Sequence, residues 1–301
     1  MPRLPKPGET LAASGGGHYL PGGKGANQAA AAARLGHATA LIGQVGSDGA
    51  GALLRGALAE AGVELGLLST TAAAPTGQAI ILLQPGGENS IVIVAGANAA
   101  WSAPPLSALA ALADCGCCLL LQREIPDSVN LAAARAAHAA GVTVVLDAGG
   151  ADGPLDPELL ACVSILSPNE TELSRLVGLP TTERGGEPSE PLVLAAAAAL
   201  QSQGVGTVLV KLGANGSMLV PPAPGAPLRQ PALHAQSVVD TTGAGDCFTA
   251  AFAVALTEGL SSAEALRFAS AAACICVQRL GAMPSLPSRG EVDALLASQP
   301  L

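Results

Sequence analysis

The stretch Val238 to Leu256 reads VVDTTGAGDCFTAAFAVAL, and in it a carboxylate, Asp246, follows a Gly-Ala-Gly turn where a strand gives way to an apolar helical run. Gly243, Ala244 and Gly245 leave little side-chain bulk at the helix start. The free N–H groups of a first helical turn point outward together, and the helix dipole adds positive potential. That combination binds anions and suits negative charge that develops during a reaction, as on a phosphate in transit. Asp246, one residue further on, points into the same cleft and can take the proton of an attacking hydroxyl. The plain structural alternative is an acidic residue in the first turn of a Gly-started helix.

Three further patterns have chemical potential. In LSPNETE, Leu166 to Glu172, Asn169 and Glu172 stand three residues apart after a strand and share a face of a first helical turn. Asn169 suits contact with a phosphate, and Glu172 suits Mg2+ held through water, because Mg2+ prefers hard oxygen ligands. The same spacing also makes a helix cap, with Glu172 closing a capping box on Asn169. VKLGANG, running from Lys211 through Leu212, Gly213, Ala214 and Asn215 to Gly216, is a Gly-rich exit from a strand that can lie along a nucleotide. PGGKGANQA lets backbone approach a ligand at Gly22, Gly23 and Gly25, and Asn27 offers sugar hydroxyls both a donor and an acceptor. A tight turn into an Ala-rich helix explains those glycines but not Asn27. No G-x-x-x-x-G-K-[ST] occurs, and no G-x-G-x-x-G follows a first strand, which argues against P-loop and dinucleotide-binding sites.

The elements that must position these residues alternate. PGGKGANQAAAAARLG is a turn feeding a helix, ATALIGQVG a strand and GALLRGALAEAG a helix. GQAIILLQ and NSIVIVA are β-type runs split by PGGEN, a hairpin signal. From Cys115 and Cys117 onward strands and helices follow one another: CCLLLQ, SVNLAAARAAHAAG, VTVVLD, VSILS, a helix from near Pro168, LVLAAAAALQSQG and VGTVLVKLG. Long helices start near Ala244 and Ser262, while the stretches at 185–191 and 221–231 read as loops. The pattern predicts an α/β fold, a doubly wound, mostly parallel sheet flanked by helices, with ligands beyond the carboxyl ends of its strands. Residues 21–71 and 99–301 form the expected core, and 1–20 with 72–98 a small β lid over that edge.

Composition narrows the function classes. The chain has 301 residues, a net charge of −9 and 2% aromatics, with no basic stripe, which argues against nucleic-acid binding. Apolar stretches are too short and too interrupted for a membrane span. The four histidines are scattered without ligand spacing. An odd count of seven cysteines in a chain showing no secretory leader reads as small core residues in a reducing, intracellular compartment. The expected location is the cytoplasm, or a plastid stroma should a targeting segment precede this sequence.

PGGKGANQA and DTTGAGDCF, in that order and about 220 residues apart, resemble the ribokinase-like family of carbohydrate kinases. SPNETE is similar to that family's Asn-x-x-Glu motif and VKLGANG to its nucleotide loop; GANA, Gly96 to Ala99, and LLQREIP, Leu120 to Pro126, look most like its ribose-phosphorylating members. The resemblance spans essentially the whole chain. It implies ATP-dependent phosphorylation of a sugar at its primary hydroxyl, O5 in ribose, with Asp246 as base and Gly243, Ala244 and Gly245 as anion hole. Gly23, Lys24, Gly25, Asn27 and Glu124 would hold the sugar. Asn169, Gly245 and the loop from Lys211 to Gly216 would contact ATP, and Glu172 would act through Mg2+. K+ would sit beside the anion hole at Asp240, Thr242, Cys276, Arg279, Gly281 and Ser285, mostly on backbone carbonyls. The resemblance also implies a homodimer formed through the β lids.

One departure stands out. Members of that family begin with a β-strand ending in Asn-x-Asp, whose Asp grips the sugar hydroxyls. MPRLPKPGET matches the segment just after it. The expectation is therefore a chain lacking that strand, a truncated form. Two other readings stay open: a kinase for a different sugar or nucleoside, and a non-catalytic sugar or nucleotide binder.

Overall fold

The computed structural model describes residues 3–12, 16–83, 89–101, 118–183 and 186–299. Cys115 and Cys117, the turn at 85–88 between the hairpin strands and Gly185 lie outside them. The central sheet has six strands: β5 (Cys118–Arg123), β6 (Thr143–Gly150), β7 (Ile165–Ser167), β8 (Thr207–Lys211), β9 (Ser217–Val220) and β10 (Leu228–Gln230), in the order β10-β9-β8-β7-β6-β5. β5 to β8 run parallel, while β9 and β10 are antiparallel additions. A separate parallel pair joins β1 (Gly43–Gly46) to β2 (Leu68–Thr71), and β3 (Gln78–Leu83) with β4 (Asn89–Val94) forms an antiparallel ribbon. Three of these were not foreseen. β2 (LSTT), β9 (SMLV) and β10 (LRQ, inside the expected 221–231 loop) are too short to show alternation, and pairing with a neighbouring strand defines them.

The strands read as unbroken Val/Ile/Leu runs because helices cover both faces. Val145, Ile165 and Leu209 pack with α1 (Lys24–Arg34), α2 (Gly49–Glu60), α7 (Ala244–Thr257), α8 (Ser262–Cys276) and α9 (Arg289–Ser298). Val144, Leu146, Leu166, Val208 and Val210 pack with α3 (Asp127–Ala139), α4 (Pro157–Cys162), α5 (Glu170–Val177) and α6 (Glu190–Gln201). The two sets alternate along each strand, as a pleat requires. None of the described helices is long and apolar enough to cross a membrane.

On the first face, α1 and α7 approach closely because both present small residues. Ala30 and Ala31 of α1 and Ala250, Ala251 and Ala255 of α7 are wholly buried. This packing brings the first turns of the two helices together at the carboxyl ends of the parallel strands. The β3–β4 ribbon overhangs the same end. Ala79, Ile81 and Ile93 line the cleft, Ile80 and Val92 stand on the opposite face, and Ile80, Val92 and Ile93 are all about half exposed. Among the described residues no strand pairs with the outer edge of β5, and the edges of β5 and β1 line one cleft of about 2520 Å³.

Phe252 is one of three phenylalanines and is fully buried in α7. Few other large rings are available to refill its space. Phe252→Ala is expected to cost about 3–5 kcal/mol by lost burial and the cavity left behind. A fall in the urea midpoint with unchanged slope checks this.

Candidate active site

The start of α7 is built on Gly243, whose φ of 80° is left-handed; a Cβ there would lie 2.9 Å from Ala282 Cα. Only glycine fits both demands. The Ala244 N–H donates to the Thr241 carbonyl at 3.2 Å. Among the described residues, the N–H groups of Gly243, Gly245 and Asp246 have no acceptor. These free donors face the cleft at the positive end of a 14-residue helix.

Asp246 is 5% exposed. Its Oδ2 accepts from Asn27 Nδ2 at 2.9 Å, and its Oδ1 faces Gln28 Nε2 and Lys24 Nζ, each at 3.4 Å. Burial pushes its pKa up, and the nearby carboxylate of Asp147 adds to this; Lys24, the Asn27 hydrogen bond and Lys211 offset only part. The result is a carboxylate that takes a proton more readily than an ordinary aspartate, which suits a general base.

Gly23, at φ 98°, opens α1. The Lys24 N–H donates to Glu124 Oε2 at 2.8 Å, and Gly25 packs against the Gln122 side chain, where a Cβ would meet Oε1 at 2.9 Å. A register shift in β5 falls between Leu121 and Arg123, directly before Glu124, a common place for a strand to re-aim its exit. Burial raises the Glu124 pKa against the opposing pull of Lys24. Asn27 Oδ1 is buried with no partner, an acceptor left over for a ligand.

Lys24 Nζ sits among four carboxylates. Burial works against its charge, but Asp246, Asp147, Glu172 and Glu124 outweigh that and hold its pKa well above the ordinary lysine value. Lys211 Nζ pairs with Asp147 Oδ2 at 2.6 Å. Asp147 is fully buried, yet its pKa is lowered, because Lys211 and Lys24 overcome the burial penalty.

Asn169 and Glu172 realise the capping box. Asn169 Oδ1 accepts from the Glu172 N–H at 2.7 Å, and Glu172 Oε2 accepts from the Asn169 N–H at 2.8 Å. The other oxygen, Oε1, lies toward Lys24, beside Gly149, where a Cβ would meet it at 2.8 Å. A cap and a cleft-facing carboxylate therefore coexist in one residue. Gly213, Ala214 and Gly216 line the cleft, and the Leu212 N–H donates to the Gly216 carbonyl at 2.8 Å, closing the loop into a tight turn.

Beside the anion-binding turn, the Asp240 carboxylate accepts from the N–H groups of Thr242 (2.9 Å) and Gly281 (2.8 Å), tying two loops into a ring. Burial pushes the Asp240 pKa up, but these hydrogen bonds prevail and keep it low. Ser285 Oγ donates to the Ala282 carbonyl at 2.7 Å and touches Cys276 Sγ at 2.9 Å. The Arg279 side chain pairs with Glu291 at 2.5 Å, away from Asp240. An ionised carboxylate is a hard oxygen ligand of the kind that fits a hard monovalent cation. Glu172 Oε1, a hard oxygen, fits water-mediated contact with Mg2+.

Sequence reasoning missed Asp147, Gln28, Gln122 and Thr249. Gln122 Nε2 donates to Gln28 Oε1 at 2.6 Å, which orients Gln28 toward Asp246. One signal for Asp147 was available: an acidic residue inside the apolar run VTVVLD, immediately before Ala-Gly-Gly at a ligand-binding strand end. Thr249 lies three residues after Asp246 on the same helix face.

The pfkB family carbohydrate kinase model matches residues 3–289. The chain is 50% identical over 300 residues to a ribokinase of Arabidopsis thaliana, covering 98% of this chain and 76% of that one. It is 38% identical over 292 residues to a ribokinase of Haemophilus influenzae, covering 97% and 92%. The structure of Arabidopsis thaliana ribokinase complexed with ribose and ATP superposes with a TM-score of 0.89 at 49% identity, covering 98% of this chain and 93% of that one. Strand-end carboxylates, the Gly-started helix of Asp246 and a family match along nearly the whole sequence converge: this chain belongs to the pfkB family of carbohydrate kinases.

Proposed function

We propose that the chain is an ATP-dependent kinase that transfers the γ-phosphoryl group of ATP to O5 of D-ribose, giving D-ribose 5-phosphate and ADP. The observation that carries this reading is the pairing of Asp246, hydrogen-bonded to Asn27, with the free N–H groups at the start of α7. Asp246 takes the O5 proton as O5 bonds to phosphorus and the bond to the ADP oxygen breaks. Gly243, Ala244 and Gly245 form the hole for the transferring phosphoryl group, with the free N–H groups of Gly243 and Gly245 as donors and Ala244, its N–H held by Thr241, shaping the turn. Little covalent work falls to the protein in such a transfer, so positioning and charge supply most of the rate. The ribose-and-ATP complex of the Arabidopsis thaliana ribokinase supports the choice of substrates.

Gly23, Lys24, Gly25, Asn27 and Glu124 hold the sugar, with the unpartnered Asn27 Oδ1 accepting from a hydroxyl. Asn169, Gly245 and residues Lys211 to Gly216 carry the nucleotide. Glu172 would hold Mg2+ through water, and Asp240, Thr242, Cys276, Arg279, Gly281 and Ser285 would hold K+. The two cations would neutralise phosphate charge and steady the anion-binding turn. Residues 21–71 and 99–301 act as the catalytic core, and 1–20 with 72–98 as the lid. A homodimer formed through the lids would cover the half-exposed Ile80, Val92 and Ile93 of the ribbon.

The direct test is ADP release with MgATP and a panel of ribose, fructose, adenosine and no acceptor, in K+ and then Na+. Ribose-dependent turnover that rises in K+ and stops on Mg2+ chelation is expected. Stabilisation by ribose and ATP without ADP release would instead mark a binder.

The acid limb of kcat/KM gives a second check. Asp246 faces Lys24, Asn27 and Gln28 from α1, Asp147 from β6 and Lys211 from β8. Its raised pKa places loss of the base above the ordinary aspartate value of about 3.9. Asn27→Ala removes a hydrogen bond to the charged form and should move that limb to higher pH. A limb that stays put or moves down contradicts Asp246 as the titrating base.

A further inference from the structure

Asp147 is the most deeply buried charge of the site, with no exposed side-chain surface, and it contacts one residue of the proposed sugar set, Lys24, and one of the proposed nucleotide set, Lys211. A buried carboxylate is costly unless fully paired, and this one is. Oδ1 accepts from the Gly149 N–H at 2.9 Å and faces Lys24 Nζ at 3.3 Å. Oδ2 accepts from Lys211 Nζ at 2.6 Å and from Thr249 Oγ1 at 3.2 Å. Thr249 is itself held by Ser167 Oγ at 3.1 Å and lies 3.4 Å from Lys211 Nζ. Four donors from α1, β6, β8 and α7 thus fix one carboxylate. Lys211 in turn reaches the anion-binding turn: a Cβ on Gly245 would lie 3.8 Å from Lys211 Nζ.

We propose that Asp147 is a positioning residue that aims the Lys211 ammonium at the phosphoryl group held by the α7 start. This rests on the kinase reading above. Lys211 has a side chain too long to be fixed by β8 alone, and an ammonium is a point charge whose effect depends on where it stands. Held by Asp147, it meets developing negative charge without reorganising, the condition under which electrostatic stabilisation is strongest. Lys24 stands farther off, 3.3 Å from the other oxygen against 2.6 Å for Lys211, so Lys211 is the cation that Asp147 chiefly fixes.

The test is a double-mutant cycle in steady-state turnover with MgATP and ribose. Lys211→Met should lower kcat by about 10²-fold, the scale of losing one charge-stabilising donor. Asp147→Asn should lower kcat by about 10-fold to 10²-fold, as a misplaced group does, with the ribose KM within about threefold of the parent. In the Lys211→Met background, Asp147→Asn should add less than about threefold, because its effect passes through Lys211. Thr249→Val removes the hydroxyl that orients Asp147, with its contacts to Ser167 and Lys211, and keeps both charges. It gives the same comparison if Asp147→Asn does not fold: a several-fold loss in the parent and none on Lys211→Met. Lys211→Met turnover within about threefold of the parent, or losses that multiply in the double variant, would overturn the positioning role while leaving the kinase reading intact. No turnover in the parent with any sugar would overturn both.

Discussion

The site depends on keeping carboxylates charged where water is scarce. Asp246, Asp147, Glu124 and Glu172 converge on Lys24, and Asp147 also grips Lys211. Without the two ammonium groups these anions would repel one another and take up protons. With them, the carboxylates divide. Asp147, paired twice, is held firmly ionised, while Asp246, deeply buried and weakly paired, is left readier to accept a proton. Two aspartates close together thereby acquire different roles from their surroundings alone.

The fold exists, in functional terms, to assemble this cluster from distant parts of the chain. Lys24 and Asp246 are 222 residues apart, and Lys24 and Asp147 are 123 apart. The parallel strands bring Glu124, Asp147, Asn169 and Lys211 to one edge, because each lies in or just beyond the carboxyl-terminal part of its strand. The helices supply the rest. Alanine faces let α1 and α7 approach until Asn27 reaches Asp246, and glycine at 243 allows the backbone turn that leaves donors free. Rigid elements on every side limit the play of each group, which positioning catalysis requires.

Much of this was legible in the sequence. Val/Ile/Leu strands buried on both faces and Ala-rich helices carry their period openly, and the Gly-Ala-Gly turn before Asp246 announces an open helix start. Elements defined by partners were not legible: β2 and β10 are strands only because a neighbour pairs with them. The same holds for Asp147, whose meaning depends on lysines remote in sequence. Asn169 and Glu172 illustrate a third case. Their spacing fits both a cap and a cleft ligand, and the structure shows the cap while leaving Glu172 Oε1 toward Lys24, so the two readings never competed.

On the proposed reading Asp246 acts through its charge in the chemical step and not as a structural residue of the first turn of α7. The most direct measurement pairs calorimetric binding of ribose and MgATP with turnover in Asp246→Asn, which keeps shape and removes the base. Binding within a few-fold of the parent and turnover lower by about 10²-fold to 10⁴-fold are expected. Turnover within about threefold of the parent would contradict the base role and leave Asp246 a structural residue of the first turn of α7.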